Sequence, residues 1–368
     1  EADRQAQLSQ GLAPKYSGKC RGISAAEARE RAKSENCTVR FKVPEKGEIS
    51  FTDIIRGKVS FNFDNIGDFV IAKSDGTPLY NFAAAVDDYD MNITHVIRGE
   101  DHLSNTPKQL AIQEALGFTR PTYAHLPLLL GPDRKKLSKR LAQTSLIEYK
   151  NDGYLSEAMF NFLAFLGWHP EGNEEILSRE ELIEQFDIKR VQKGGAVFNE
   201  EKLNWLNASY IRSLKPGEIA QSIKAFIPKE WARDERFLEN AVKVEQERIK
   251  TLKDFARNAA FFFELPDYPP NLLIWNDEPD ESKASLRKIY EEIQSQSVMT
   301  RDMLEGILEK QAAGNRGPVY WPFRVALSGQ RSSPGGVETA LVLGREETLR
   351  RLEIALDKIN AEDEAEKS

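Results

Sequence analysis

Between residues 93 and 133 the sequence follows one local grammar closely. A short β-branched run at 93–97 ends in Arg98-Gly99-Glu100-Asp101-His102. Pro107 stands behind Ser104, Asn105 and Thr106, where a first-turn proline belongs, and Gly117 closes the helix that follows. A second apolar strand at 123–130 then runs into Gly131-Pro132-Asp133. Strand, helix, strand, with polar groups bunched where each strand ends, predicts a βαβ unit of a parallel sheet. Ligands of such sheets bind beyond the carboxyl ends of the strands. The polar end of the 93–97 strand is therefore expected to face the basic loop at 136–140.

The flanks read differently. Residues 1–35 are polar and mostly helical in pattern, broken at 11–15. From Thr38 the period is two, with Val39, Phe41 and Val43 alternating with polar residues. Further strands are expected at 49–51, 58–63 and 69–73, as a small antiparallel region ending at Ser74-Asp75-Gly76-Thr77-Pro78. After Ser156 almost everything reads as helix. Ser156 opens one helix, Ser178 and Glu181 form a capping box, Thr300 opens another, and Gly344 precedes a last one. Seams are expected near 80, 150, 215 and 275.

Composition narrows the class. With 368 residues, 40% hydrophobic and 30% charged, the chain suits a soluble protein of several domains. No apolar run approaches the 18 or so residues of a membrane-spanning helix. Cys20 and Cys37 cannot form a disulfide framework, so a cytoplasmic setting is expected. The opening at Glu1, without Met or a charged-then-apolar leader, suggests a fragment or processed product rather than a secreted precursor. Charge is uneven: residues 1–150 carry 22 Lys/Arg against 19 Asp/Glu, and the remainder 29 against 39. A net charge of −7 excludes a chain that coats nucleic acid all over but leaves room for a local basic face.

Two clusters suit chemistry. Arg134-Lys135-Lys136-Leu137-Ser138-Lys139-Arg140 places five cations in seven residues beside a Gly-Pro-Asp turn, suited to gripping a polyphosphate. A solvated basic turn is the plainer reading of that run taken alone. Arg98 suits a carboxylate through two parallel charge-assisted bonds, Asp101 suits an ammonium, and His102 suits stacking on a base. An Arg–Asp pair bracing a loop is the alternative there, and Asp87-Asp88 most simply caps a strand or turn. The four histidines (His95, His102, His125, His169) have no metal-site spacing, and most of the five tryptophans read as core. There is no GxGxxG and no Walker lysine loop.

Taken in order, Gly76–Ala83, Val86-Asp87-Asp88, Ile93–His102, Asn105–Gln109, Tyr123–Pro127 and Lys136–Arg140 resemble glutamyl-tRNA synthetase. The resemblance continues through Asn161–Trp168, Ala196-Val197-Phe198, Lys202–Asn207, Trp321–Gly329 and Leu343–Leu352, which is essentially the whole chain. It implies a multidomain class I aminoacyl-tRNA synthetase. An incomplete Rossmann-type α/β domain would carry an α+β insertion, followed by mainly α-helical stem-contact and anticodon-binding domains. The expected segments are 1–80 for part of the acceptor-binding insertion, 81–135 for the second half of the Rossmann domain and 136–215 for the stem-contact domain. Two helical anticodon-binding subdomains would follow at 216–275 and 276–368.

The resemblance also implies a reaction and its residues. Glutamate and ATP, with Mg²⁺ travelling on the nucleotide, give glutamyl-adenylate, and glutamyl then passes to the 3′ end of tRNA(Glu). Lys136, Ser138, Lys139 and Arg140 fall on the Lys-Met-Ser-Lys-Ser-type signature, with Lys139 as the ATP-binding lysine. His102, Leu128 and Leu129 fall on adenosine-site positions, and Tyr80, Arg98 and Asp101 on the glutamate pocket. A monomer is expected.

Departures from the family pattern are specific. No His-Ile-Gly-His element is present, since no histidine precedes His95. Of the family's zinc site only Cys20 matches, and Gly22 stands where a histidine ligand would follow, so no metal site is expected. Ala84 occupies a pocket position that is Asn in some members. Without the missing element the chain alone is expected to be inactive. The competing readings are a non-catalytic tRNA-binding paralogue lacking the nucleotide-binding half and an unrelated helical scaffold; a tRNA clamp or scaffold needs neither basic loop nor Arg98 cluster. A glutaminyl enzyme would have a β-barrel anticodon region, and 216–368 lacks alternating strands. For tRNA, Arg316, Arg324, Arg331, Arg345, Arg350 and Arg351 are candidates, with Lys/Arg of 19–58 on the acceptor side.

Overall fold

The computed structural model describes residues 2–9, 11, 16–137, 145–232, 234–276 and 278–366. The chain divides into two compact units: Glu1–Ala142 with Leu163–Asn199, and Gln143–Phe162 with Glu200–Ser368. No helix among the described residues is long and apolar enough to cross a membrane.

The first unit contains eight short strands among its described residues: β1 (Val39–Phe41), β2 (Glu48–Asp53), β3 (Gly57–Asn62), β4 (Phe69–Ala72), β5 (His95–Gly99), β6 (Thr122–Leu126), β7 (Leu129–Leu130) and β8 (Ala196–Val197). The central sheet has the order β3-β2-β6-β5 and is mixed. β2 and β3 form an antiparallel hairpin, while β5 and β6 run parallel from His95↔Thr122 to Gly99↔Leu126. The crossover between them is the Thr106–Leu116 helix, ended by Gly117 in the left-handed region at φ 69°. Period-two alternation along β6 sends Tyr123 to one face of the sheet and Ala124 to the other. Tyr123 packs with Ile49, Leu110 and Ala111, and Ala124 packs with Ile55, Trp168, Leu177, Leu182 and Val191.

Three expectations need correcting here. The 123–130 run is two strands, because Pro127 has no N–H to give a ladder and β7 leaves to pair with β8 in a separate two-stranded sheet. The boundary at 80 does not follow the sheet: β2 and β3 join β6 and β5, through the parallel pair Asp53↔Tyr123. Nor does 136–215 hold together as one body, since residues 163–199 cluster with the first unit. The contacts of Trp168, Leu177, Leu182 and Val191 with Ile55 and Ala124 give the reason.

The second unit is helical. Asn207 ties its two chain segments together, accepting the Leu155 N–H at 2.8 Å and donating to the Lys250 carbonyl at 2.6 Å. One core gathers Ile211, Ile219, Leu238, Val242, Phe255 and Phe261. The other gathers Leu286, Ile289, Leu304, Leu308, Phe323 and Leu352 from four helices: Pro279–Ser295, Arg301–Ala312, Gly317–Ser328 and Gly336–Glu366. Gly344, at φ 80° and ψ 168°, breaks the last of these into two, as only a residue without Cβ does readily. Trp205, read as core, lies 45% exposed on the Glu200–Ser213 helix.

Candidate active site

The β5–β6 register sets the site. Arg98, one residue from the end of β5, is the cross-strand partner of His125 on β6. Its guanidinium is held on three sides: Nε donates to His125 Nε2 at 3.3 Å, and Nη2 donates to Thr106 Oγ1 at 2.8 Å and Gln109 Oε1 at 2.9 Å. Thr106 and Gln109 come from the first turn of the crossover helix and are buried. Among the described residues Nη1 meets only the Tyr80 hydroxyl, at the long distance of 3.5 Å. A guanidinium has five N–H donors, of which three are taken here by buried acceptors. Nη1 is the guanidinium nitrogen that none of these buried acceptors engages.

Tyr80 opens the Tyr80–Asp90 helix, is half-exposed, and lies 3.2 Å through its hydroxyl from His102 Nδ1. The rings of Tyr80 and His102 meet edge to face at 5.7 Å. Asp101 and Lys136 form an exposed ion pair at 2.9 Å, and that bond from Lys136 is the main reason the Asp101 carboxyl sits below its ordinary range. Gly99 lets Asp101 fold back, since a Cβ there would stand 2.6 Å from Asp101 Oδ1. Glu100 turns the other way, pairing with Arg56 and accepting the Leu128 N–H at 3.0 Å. Leu128 and Leu129 lead into the basic segment, with the Leu129 carbonyl accepting the Leu137 N–H at 2.8 Å. Leu129 is 39% exposed.

Tyr80, Arg98 and His102 thus form one run of contacts at the carboxyl end of β5, and Asp101 with Lys136 forms a separate pair beside it. Ser138, Lys139 and Arg140 lie outside the described residues. Beneath these residues lies a layer that the sequence reading passed over. His125 and Asp53 are both fully buried, with Nδ1 and Oδ2 2.7 Å apart. Burial works to raise the Asp53 carboxyl, but N–H groups of Arg56, Ile55 and His125, with the His125 ring, outweigh it and hold the group below its ordinary range. Burial lowers the His125 pKa, opposed by Asp53 and assisted by the charges of Arg98 and Arg56. A histidine in an apolar strand, Tyr123-Ala124-His125-Leu126, was the signal available, since buried polar groups need partners.

No three His, Cys, Asp or Glu side chains converge to hold a metal among the described residues. Cys20 is exposed, and its N–H donates to the Tyr16 hydroxyl at 2.7 Å.

A family model described as "tRNA synthetases class I (E and Q), catalytic domain" matches residues 1–205, and one described as "Anticodon binding domain" matches 218–356. The glutamate–tRNA ligase of Heliobacterium modesticaldum is 42% identical over 371 residues, covering 97% of this chain and 74% of its own length. That of Carboxydothermus hydrogenoformans is 42% identical over 366 residues, covering 96% and 76%. The chain belongs to the glutamate–tRNA ligase family of class I tRNA synthetases. A crystal structure of a glutamate tRNA ligase from Elizabethkingia meningosepticum, in complex with its amino acid, matches at TM-score 0.85 and 30% identity, over 97% of this chain and 77% of that one.

The arginines of the helical unit expected to meet tRNA differ in their surroundings. Arg351 is buried: it donates to the carbonyls of Phe261 at 2.7 Å and Leu327 at 2.6 Å and pairs with Glu347 at 2.6 Å. It is a core brace, which corrects its reading as a tRNA contact. Arg345 caps the carbonyls of Gln294 and Gln296 at 2.8 Å each, Arg350 pairs with Glu347 at 2.6 Å, and Arg316 pairs with Glu309 at 2.7 Å. Arg324 differs. It stacks over the Trp321 ring at 4.8 Å and donates to Ser333 Oγ and the Arg331 carbonyl, and burial together with the Arg248 charge pulls its pKa down.

Proposed function

We propose that this chain carries the glutamate pocket, nucleotide loop and tRNA-reading region of a glutamate–tRNA ligase, acting as a cytoplasmic monomer on glutamate, ATP with its Mg²⁺, and tRNA(Glu). The observation that carries this reading is Arg98: a fixed guanidinium with Nη1 directed to the Tyr80 side, at the carboxyl end of a parallel strand. A cation so held recognises the side-chain carboxylate of glutamate and leaves the neutral amide of glutamine short of a charge-assisted bond. Tyr80 offers its hydroxyl to the same group. Asp101 receives the α-ammonium, exchanging its bond from Lys136 for one from the substrate. Lys136 is then free to turn with Lys139 toward the triphosphate, where both cations act on the charge that grows as pyrophosphate leaves. Leu128, Leu129 and His102 offer the apolar and aromatic surface an adenine needs. The carboxylate of glutamate attacks the α-phosphorus, pyrophosphate departs, and the terminal ribose hydroxyl of tRNA displaces AMP from the adenylate.

Arg324 and Arg331 are the tRNA contacts this reading favours in the helical unit, because Arg324 reaches Ser333 and the Arg331 carbonyl and so gathers positive charge at the 331–333 turn, which suits a phosphate or a base edge. On the acceptor side, Arg40 stacks over the Tyr16 ring at 4.1 Å and remains the cation best placed among 19–58. The test is charging of tRNA(Glu) with labelled glutamate. Residues 1–368 joined to a segment carrying a His-Ile-Gly-His element should charge it, and residues 1–368 alone should form adenylate near background. Brisk pyrophosphate exchange by the unextended chain would overturn the assignment of catalysis to a missing His-Ile-Gly-His element.

A further inference from the structure

Two of the contacts of Arg98, with His125 and Thr106, are with groups that are themselves controlled. Asp53 has one oxygen, Oδ1, on the backbone N–H groups of Ile55 and Arg56 at 2.9 Å and of His125 at 3.3 Å. Its other oxygen, Oδ2, faces His125 Nδ1 at 2.7 Å. An ionised carboxylate only accepts, so the proton between them belongs to Nδ1. A neutral imidazole carrying its proton on Nδ1 has a bare lone pair on Nε2. That lone pair points at the Nε–H of Arg98, 3.3 Å away, and at the Thr106 hydroxyl, 3.0 Å away. Thr106 Oγ1 in turn accepts from Arg98 Nη2. From Arg98 through His125 to Asp53 the donors and acceptors run in one consistent direction, while the Thr106 hydroxyl can give its proton to His125 Nε2 or to the His102 carbonyl at 3.5 Å.

We propose that Asp53 and His125 are a positioning pair for substrate binding: by fixing the imidazole tautomer they dock the Nε and Nη2 side of Arg98 inward and present Nη1 to the glutamate carboxylate. The proposal rests on the reading of Arg98 as the glutamate-binding cation. Neither residue touches the substrate. Their effect is on the orientation of a guanidinium that would otherwise have several rotamers in which to meet, or miss, its ligand. The arrangement also has an acid limit. A second proton on His125 would sit on Nε2, facing the Arg98 Nε–H, and donor would meet donor between two cations.

The groups that set this limit come from every element around the ring. Asp53 from β2 favours protonation. Arg56 from the turn after β2 and Arg98 from β5 oppose it, and burial opposes it most. Thr106 from the crossover helix takes either role, and the Tyr123 and Phe51 rings pack at 6.1 and 6.2 Å. Asp88, from the Tyr80–Asp90 helix, senses the Arg98 charge from the other side.

The experiment compares Asp53→Asn, His125→Gln and the double variant, in residues 1–368 joined to a segment carrying a His-Ile-Gly-His element, reading KM for glutamate, KM for ATP, kcat and melting temperature from pH 5 to 8.5. That window extends below the ordinary histidine range because burial lowers the His125 pKa. The amide of Asp53→Asn keeps the shape and the backbone bonds but donates to Nδ1, so the imidazole proton moves to Nε2 and Arg98 loses its acceptor. Asp53→Asn should raise KM for glutamate roughly ten- to a hundredfold, the worth of a hydrogen bond to a charged group, with KM for ATP and kcat within about twofold. The amide of His125→Gln retains an acceptor oxygen for Arg98 and does not titrate. His125→Gln should therefore have the smaller effect and lose the rise in glutamate KM at acid pH, and adding Asp53→Asn to it should change little. Equal losses in every kinetic constant, tracking melting temperature, would overturn the proposal. Arg98→Ala separates the two readings: unchanged glutamate KM in that variant sinks the pocket itself, whereas a large rise there beside a silent Asp53→Asn sinks only the positioning pair. If Asp53→Asn does not fold, ¹⁵N spectroscopy of the imidazole in the unsubstituted chain decides, with protonated Nδ1 and bare Nε2 expected and a protonated Nε2 contradictory.

Discussion

In the proposed mechanism Lys139 and Gly99 bear on different steps of the same reaction, and their substitutions should separate cleanly. Lys139→Ala removes a cation that acts on charge developing in the transition state, so kcat should fall about 10²–10³-fold while KM for glutamate stays near its starting value. Unchanged kcat in pyrophosphate exchange would remove Lys139 from the mechanism. Gly99→Ala places a methyl 2.6 Å from Asp101 Oδ1 and obliges that carboxylate to turn away. Glutamate KM should rise several-fold with little change in melting temperature, measured side by side; no change in KM would mean Asp101 does not meet the substrate. Arg98, Asp101 and Lys136 stood out in the sequence because they follow a strand end or lie in a basic run, and Tyr80 stood out only through the family resemblance. Asp53, Thr106, Gln109 and His125 were not. Asp53 and His125 stand 72 positions apart, and only the sheet register brings β2 beside β6. The use of Arg98's fork by buried acceptors was equally invisible, since a residue type announces its donors but not which of them are already engaged.

Among the elements, helix starts read well because the caps are local chemistry: the Ser178–Glu181 box and the Thr300 cap both form as the spacing requires. Burial on helices read less well, because it depends on partners distant in sequence. Arg351 is the clearest instance, a cation that looks solvated in a run of charges and proves to hold the carbonyls of Phe261 and Leu327. Arg351→Met should cost about 3–5 kcal/mol in chemical denaturation, because it leaves buried acceptors unpaired; a loss under ~1 kcal/mol would contradict the brace. The Glu235–Glu245 helix carries a pH-dependent element. Burial pushes the Glu245 carboxyl up from 4.5 to about 7, against the pull of Arg248. A carboxyl raised in the folded state binds its proton more tightly there than in the unfolded chain. The stability it contributes is full below the unfolded value near 4.5 and is lost as pH rises through about 7. Glu245→Gln should flatten the dependence of melting temperature on pH between 5 and 8, and an unaltered slope would place the titration elsewhere.

At the scale of the molecule, an acidic chain belongs to a family whose partner is a polyanion, so affinity has to come from local basic faces rather than net charge. Binding of tRNA should fall steeply with salt, with a log–log slope near the number of phosphates contacted. Arg324→Gln should weaken it roughly tenfold or more, while Arg350→Gln, whose guanidinium is already paired with Glu347, should do much less. Equal effects from both in a filter-binding or fluorescence titration would remove the distinction. The whole chain was recognisable from ordered motifs, yet its division into two units was not, because residues 163–199 return to pack beside Ile55 and Ala124. Everything proposed for the site depends on Arg98 selecting glutamate. The most direct measurement is the glutamate KM of Arg98→Ala in tRNA-dependent ATP–pyrophosphate exchange, made on residues 1–368 joined to a segment carrying a His-Ile-Gly-His element. A rise of roughly a hundredfold or more, with the ATP KM held within about twofold, is predicted from the loss of a charge-assisted bond to a carboxylate. A glutamate KM that does not move would contradict it.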